Sequence, residues 1–296
     1  MELHQLRYAL AVARMGNFSR AAAHCHVSQP SLSQQIQKLE AELGDRLFTR
    51  LKREAVPTAA GRALLIRAAR IIGDVEAAQH DVADAGGEVR GVVALGVLPT
   101  IAPYLLPRVL TLCRQRYPRL DVVIHETTTA QLLIMAAACE IDFAVLSGTI
   151  PDDRFQREDL FSEDLLLAVP ADHPLAGRRS VRLEDVETER FILLQEGHCL
   201  GDQALRFCDQ QKCHPQVIFR TAQLETIQAL VAASVGVSLI PRMACQPGLP
   251  HRPAYVVIAP PRPTRTVAVL RRREQYLSRG ASALLDALRQ TAKPKP

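Results

Sequence analysis

Apolar side chains recur along the first part of the chain at helical intervals. Leu3, Leu6, Leu10 and Ala13 fall on one helix face, and Gly16-Asn17 stops that run. Ser19 is placed to cap a second, short helix through Arg20-Ala21-Ala22-Ala23, whose alanines admit a close neighbour. Ser28 predicts a third N-cap with Pro30 tolerated in the first turn, and Leu32, Ile36, Leu39 and Leu43 line one face up to Gly44. The opposite face carries Ser31, Ser33, Gln34, Gln37 and Lys38, side chains suited to base edges and phosphates when a helix lies in the major groove. This is a helix-turn-helix pattern, although an amphipathic hairpin with a polar outer face has the same periodicity. Thr58 then caps a long helix in which Leu64, Ala68, Ile71, Val75, Ala78, Val82 and Ala85 alternate steps of four and three. A seam with the 3.5-residue period of a coiled coil wants a partner, and Gly86-Gly87 breaks the helix as a hinge.

Past the hinge the period changes. Val92–Leu95, Val122–Ile124, Phe143–Leu146, Leu165–Val169, Phe191–Leu194, Val217–Phe219, Val237–Ile240 and Val267–Leu270 are short apolar runs separated by helical stretches. The alternation predicts an α/β domain of mostly parallel sheets covered by helices. Ligands in such folds bind beyond the carboxyl ends of strands, at helix N-termini. Thr100, Thr129 and Cys199 sit at such places, and either threonine could equally be a plain N-cap.

Cys199 and Cys208 pose a geometric problem. If the segment between them is helical, nine residues at 1.5 Å rise hold their Cα atoms about 13.5 Å apart, whereas a disulfide needs them within about 7 Å. The two thiols are therefore either reduced with the helix intact or joined with it broken, which is the logic of a redox switch. Buried cysteine is also an ordinary small hydrophobe, and spacing alone does not separate the two readings.

Composition narrows the class. The chain has 296 residues, 48% hydrophobic and 23% charged, enough for two or three domains with a proper core. Its start lacks a basic segment followed by an apolar run, and no stretch is apolar enough to span a bilayer, so the expected setting is the cytoplasm, with no membrane contact. Seven cysteines, an odd number without a secreted-style framework, fit a reducing compartment. Net charge is +5, but residues 1–70 carry 11 Lys/Arg against 5 Asp/Glu while residues 71–90 carry one against five. A basic head suits phosphate neutralisation. A zinc or thiol-peroxidase site could be assembled from His198, Cys199, Cys208, Cys213 and His214, but their separations lack the short spacing of zinc ligands, so neither metal nor cofactor is expected. An enzyme is disfavoured because a DNA-binding head makes turnover unnecessary.

The segments Phe18-Ser19-Arg20-Ala21-Ala22, Val27-Ser28-Gln29-Pro30-Ser31-Leu32-Ser33-Gln34-Gln35-Ile36, Lys38-Leu39-Glu40 and Thr58-Ala59-Ala60-Gly61 resemble the head of the LysR-type transcriptional regulators. The resemblance implies an N-terminal winged helix-turn-helix over 1–58, a linker and dimerisation helix with hinge over 59–87, and a regulatory domain over 88–296. That regulatory domain would be a periplasmic-binding-protein-like effector domain of two subdomains, 91–161 with 268–296 and 162–267. Gln29, Pro30, Ser31, Ser33 and Gln34 would occupy DNA-reading positions, with Lys38 beside them and Arg50 and Arg53 of the wing region on phosphates or the minor groove. The implied partners are double-stranded DNA carrying an interrupted inverted repeat, a second copy of the chain in a dimer or tetramer, and RNA polymerase.

One branch, the peroxide-sensing activators, matches further, through Gly96–Thr100, Pro103–Pro107, Gly197–Leu200, Asp202–Ala204, Phe207-Cys208, Phe219–Thr221 and Leu224–Thr226. By that resemblance Cys199 is the peroxidatic thiol and Cys208 the resolving one, hydrogen peroxide is the signal, and antioxidant genes are the targets. Thr100, Thr129, His198, Asp202 and Arg265 would shape the peroxide pocket. The sequence departs from the branch in having one arginine, Arg265, where a pair is expected, and in carrying the extra Cys213. A regulator sensing a small organic acid would use the same cleft and threonines without needing both cysteines.

Overall fold

The computed structural model describes residues 1–50, 54–83, 88–150, 152–195, 199–211, 215–249, 251–273 and 275–292. Its chain divides into two compact units, one built on Met1–Glu88 and the other on Val89–Ile134, Ile141–Arg273 and the C-terminal segment from Gly280.

The first unit begins with helices α1 (Leu3–Met15), α2 (Phe18–His24) and α3 (Gln29–Leu43). Gly16 and Gly44 end α1 and α3 in the left-handed region, φ 63° and 74°, a conformation glycine adopts without a Cβ penalty. Ser28 caps α3, accepting from the Ser31 N–H at 3.3 Å. The cap of α2 is Asn17 rather than Ser19. Its carboxamide oxygen accepts from the Ser19 and Arg20 amides at 2.8 and 3.1 Å, because the extended residue is the one whose side chain can fold back over the first turn. Leu6, Val12, Ala21, Ala22, Leu32, Ile36 and Leu39 close the core. A two-stranded antiparallel sheet, β1 (Phe48–Arg50) and β2 (Ala55–Pro57), follows.

The 25-residue helix α4 (Ala59–Ala83) starts at Thr58, whose hydroxyl accepts from the Gly61 N–H at 3.0 Å. Glycine is required there, since a Cβ on Gly61 would lie 2.0 Å from the Leu47 carbonyl oxygen. The seam of α4 is not wholly free for a partner. Ala68 and Ile72 are buried in the head's own core with Leu64 and Ile71 packed against it, because α1 lies along the first half of α4. Ala85 and the expected Gly86-Gly87 break lie outside the described residues.

The second unit contains β3 (Arg90–Val97), α5 (Ala102–Arg116), β4 (Arg119–Glu126), α6 (Thr129–Ala137), β5 (Phe143–Ser147), β6 (Phe155–Val169) and β7 (Ser180–Val181). It continues through β8 (Arg190–Leu194), α7 (Cys199–Gln210), β9 (Gln216–Thr221), α8 (Leu224–Ala232), β10 (Ser238–Pro241), β11 (Ala254–Ile258), β12 (Thr264–Arg272) and α9 (Arg279–Ala292). The main sheet runs β4-β3-β5-β12-β6-β11-β7, with β10 also on β6; β8 and β9 form a parallel pair joined to Val237 by a bridge at Phe191.

The expectation of mostly parallel sheets needs correction. Strand β3 is parallel to β4 and β5, but β12 is antiparallel to both β5 and β6, and β10 and β11 are antiparallel to β6. Strand β12 is the chain returning from the second half of the unit, and an apolar run carries no mark of the direction in which it will be threaded. The run Leu165–Val169 is only the fully buried end of the 15-residue β6, whose first ten positions are mostly half exposed. Strands β6 and β12 pair along their length, with a register shift between Val267 and Ala268. A buried cluster including Leu167, Phe191, Leu194, Leu200, Ala204, Cys208, Ile227 and Ile240 fills the second half. No helix among the described residues is long and apolar enough to cross a membrane.

Candidate functional site

Three elements meet at the buried guanidinium of Arg265. Strand β3 ends at Val97, and Ile101 rather than Thr100 is the N-cap of α5, which leaves the Thr100 hydroxyl free to face inward. Arg265, near the start of β12, stands opposite Glu163 of β6 in the ladder, so both side chains project to one face. Arg265 Nε donates to Glu163 Oε1 at 2.8 Å, Nη1 to Thr100 Oγ1 at 3.1 Å, and Nη2 to both the Thr100 carbonyl oxygen and Met243 Sδ at 3.1 Å. The other Glu163 oxygen accepts the Met243 N–H at 2.7 Å.

Side-chain exposure is 0% for Arg265 and 7% for Glu163, so this is a buried ion pair in which each charge depends on the other. Burial pulls the guanidinium below its ordinary pKa, and the Glu163 carboxylate works against that shift. The outcome is a fixed positive charge, held by hydrogen bonds, at the Thr100 end of the β3–α5 connection.

A second polar chain ties α5 to α8. Tyr104 Oη donates to Glu225 Oε1 at 3.1 Å, and Arg252 Nη1 donates to Glu225 Oε2 at 2.5 Å. Gln228, wholly buried, donates to Glu225 and accepts from Tyr255. Burial foremost, then the Glu225 carboxylate, pushes the Tyr104 phenol above its usual range.

Helix α7 carries the two cysteines of interest. It runs unbroken from Cys199 to Gln210, so nine residues of helix separate the two positions, about 13.5 Å between Cα atoms. Leu200, Ala204 and Cys208 form a buried stripe against the second-half core, and Phe207 and Leu205 pack on its rim. Gly201 permits the close approach of the first turn to the end of β8, where a Cβ would meet the Leu194 carbonyl oxygen at 2.8 Å. His198, and the side chains of Cys199 and Asp202, lie outside the described residues, as do Cys213 and His214. Cys25, Cys113 and Cys245 are poor nucleophiles by environment. Burial raises the thiol pKa of Cys25 and Cys113, and burial with Glu163 pushes Cys245 up to about 12 while its Sγ rests on the Pro241 carbonyl at 3.4 Å.

The structure thus brings Thr100 and Arg265 together. Thr129 opens α6, half buried, but the cap belongs to Thr128, whose hydroxyl accepts from the Gln131 N–H at 3.5 Å. Sequence reasoning missed Glu163 and Met243 altogether, and gave Tyr104 and Glu225 no role although both fall within the quoted motifs. Only the fold pairs Glu163 with Arg265, 102 residues on.

On the head, Gln29, Pro30, Ser31, Gln34 and Lys38 are exposed along α3. Ser33 departs from the expected outward face and is buried, because it follows Leu32 and lies one turn before Ile36, on the flank that faces the core. Arg50 ends β1, and Arg53 lies outside the described residues.

Comparison with known proteins agrees with this layout. Residues 3–62 match the model of bacterial regulatory helix-turn-helix proteins of the lysR family, and residues 86–293 match the LysR substrate binding domain. The chain is 36% identical to the DNA-binding transcriptional dual regulator OxyR of Escherichia coli K12, over 98% of this chain and 95% of that one. Among solved structures it is similar to a full-length Pseudomonas aeruginosa OxyR with a cysteine-to-aspartate substitution, at TM-score 0.80 and 30% identity, covering 98% of both chains. It is also similar to a hydrogen-peroxide-bound mutant of Corynebacterium glutamicum OxyR, at TM-score 0.63 and 29% identity over 98% of this chain and 94% of that one.

Proposed function

The chain belongs to the LysR family of bacterial helix-turn-helix regulators, and from that membership we propose that it is a transcription regulator that senses hydrogen peroxide by reversible oxidation of Cys199 and controls antioxidant genes. Residues 1–58 act as a winged helix-turn-helix, with β1, β2 and Arg50–Arg53 as the wing; 59–87 link and pair the subunits; 88–296 form a periplasmic-binding-protein-like sensor. Gln29, Pro30, Ser31 and Gln34 read base edges, and Lys38, Arg50 and Arg53 hold phosphates. The protein works in the cytoplasm as a dimer or tetramer on an interrupted inverted repeat and contacts RNA polymerase.

The observation that carries this reading is α7, a helix with one cysteine at its first residue and the other buried at its tenth. A helix N-terminus favours the thiolate. Peroxide held by Thr100, Thr129, Arg265, His198 and Asp202 receives the attack of the Cys199 sulfur on one oxygen; the O–O bond breaks, and the other oxygen leaves as hydroxide, protonated to water. Cys199 is left as a sulfenic acid. The Cys208 thiolate then attacks that sulfur, a second hydroxide departs, and the disulfide forms. Since an intact α7 holds the sulfurs too far apart, the helix unwinds, and the rebuilt surface alters how paired subunits meet.

Intact-mass measurement before and after a few equivalents of peroxide, with the cysteines mapped, tests this. Loss of two hydrogens and a Cys199–Cys208 link is the expected result. Cys199→Ser abolishes the response, and Cys208→Ser stops at the sulfenic acid. A peroxide-dependent change of DNA footprint in Cys199→Ser would overturn the reading.

A further inference from the structure

Met243 presents a thioether sulfur to the same guanidinium that the peroxide reading uses. Its Sδ accepts from Arg265 Nη2 at 3.1 Å, the nitrogen that also reaches the Thr100 carbonyl. The sulfur does not hang on a loose arm: the Met243 N–H is fixed on Glu163 Oε2, and Glu163 Oε1 fixes Arg265 Nε. Met243 lies in a short 3-10 turn, Arg242–Ala244, between the buried Pro241 and Ala244, and is itself half buried. A molecule bonded to both Thr100 Oγ1 and the guanidinium therefore lies within reach of this sulfur.

We propose that Met243 is a second oxidisable sulfur of this site, converted to its sulfoxide by hydrogen peroxide held at Thr100 and Arg265. The inference rests on the assignment of that pocket to peroxide. A sulfur lone pair attacks one peroxide oxygen, the O–O bond breaks, and the departing oxygen keeps its hydrogen and takes the second to leave as water. Sulfur gains the oxygen and loses two electrons; peroxide is reduced by two. Unlike a thiol, a thioether needs no deprotonation, but it is a weaker nucleophile than a thiolate, so Met243 reacts at higher peroxide than Cys199.

The product changes the site. Thioether sulfur is a weak acceptor, and the sulfoxide oxygen is polar and a strong one. Oxidised Met243 draws Arg265 Nη2 more tightly and competes with peroxide for its donors. The sensor is damped after a heavy dose.

Graded peroxide on the full chain, followed by peptide mapping of sulfoxide at each methionine, reads this directly. Exposure alone would put Met1, 52% exposed, first. The expected order puts Met243 first, several-fold ahead of Met1 and Met15 in both the unaltered protein and Cys199→Ser. The lead shrinks in Thr100→Val and disappears in urea. After a heavy dose, a dithiol restores the cysteines but leaves the sulfoxide; on rechallenge the unaltered protein forms Cys199 sulfenic acid several-fold more slowly than at first, while Met243→Leu repeats its own first rate. Met243 oxidised no faster than Met1 in the folded protein overturns the inference. Rechallenge rates unchanged in the unaltered protein overturn the damping. Failure of the underlying reading looks different, since Cys199 then forms no sulfenic acid whatever Met243 does.

Discussion

At the scale of single residues, the Arg265–Glu163 pair decides most. A buried charge without its partner costs about 3 to 5 kcal/mol, whereas exchanging both partners for apolar residues of similar volume is often neutral. Glu163→Ala is therefore expected to destabilise the second unit by about that amount in urea unfolding. Glu163→Leu combined with Arg265→Met is expected to recover most of the stability while remaining unresponsive to peroxide. Recovery of the response in the double variant would show that the guanidinium serves packing alone. Arg265 was legible by resemblance; Glu163 was not, because a carboxylate inside a strand-like stretch has no local signature.

Among elements, α7 is held by a narrow stripe and one close approach. Placing alanine in a helix instead of glycine ordinarily stabilises it by up to about 1 kcal/mol. At Gly201 the new Cβ would sit 2.8 Å from the Leu194 carbonyl oxygen, a backbone atom that cannot step aside, and overpacking of this kind costs about 1 to 3 kcal/mol. The steric effect wins, so Gly201→Ala is expected to speed amide exchange across 199–210 and leave α1 to α3 unchanged. Slower exchange in α7 would mean that its first turn has room to shift. The elements themselves were largely readable: the caps Ser28 and Thr58 and the stops Gly16 and Gly44 act within one turn of chain. Strand β11 escaped notice, and Asn17 took the cap assigned to Ser19 because the extended residue, not the nearest hydroxyl, sits where the orphan amides point.

For the whole molecule, the proposed function demands that phosphate neutralisation and base reading be separable. Binding to duplex DNA is expected to weaken linearly in log affinity against log salt, with a slope of about −0.9 for each phosphate contacted. Arg53→Ala is expected to weaken every site alike and flatten that slope by about one contact, while Gln29→Ala or Gln34→Ala erodes discrimination between sites at constant slope. Equal losses on specific and random DNA for all three would remove α3 as the reading helix. Ser33 drops out of this set, since its burial leaves it little to offer a base edge.

The amino-acid sequence by itself determined the helices of the head, the long helix after Thr58, the alternation of strands and helices behind it, and the helical spacing of Cys199 and Cys208. Each follows from periodicity and capping, interactions that span a turn or two of chain. Tertiary structure decided the direction of β12, the covering of the first part of the α4 seam by the head's own core, and the convergence of Thr100, Glu163, Met243 and Arg265. Those depend on how distant segments are threaded past one another, and burial then makes the pairing obligatory: once Arg265 is enclosed, its charge must be met by whichever groups the fold carries to it.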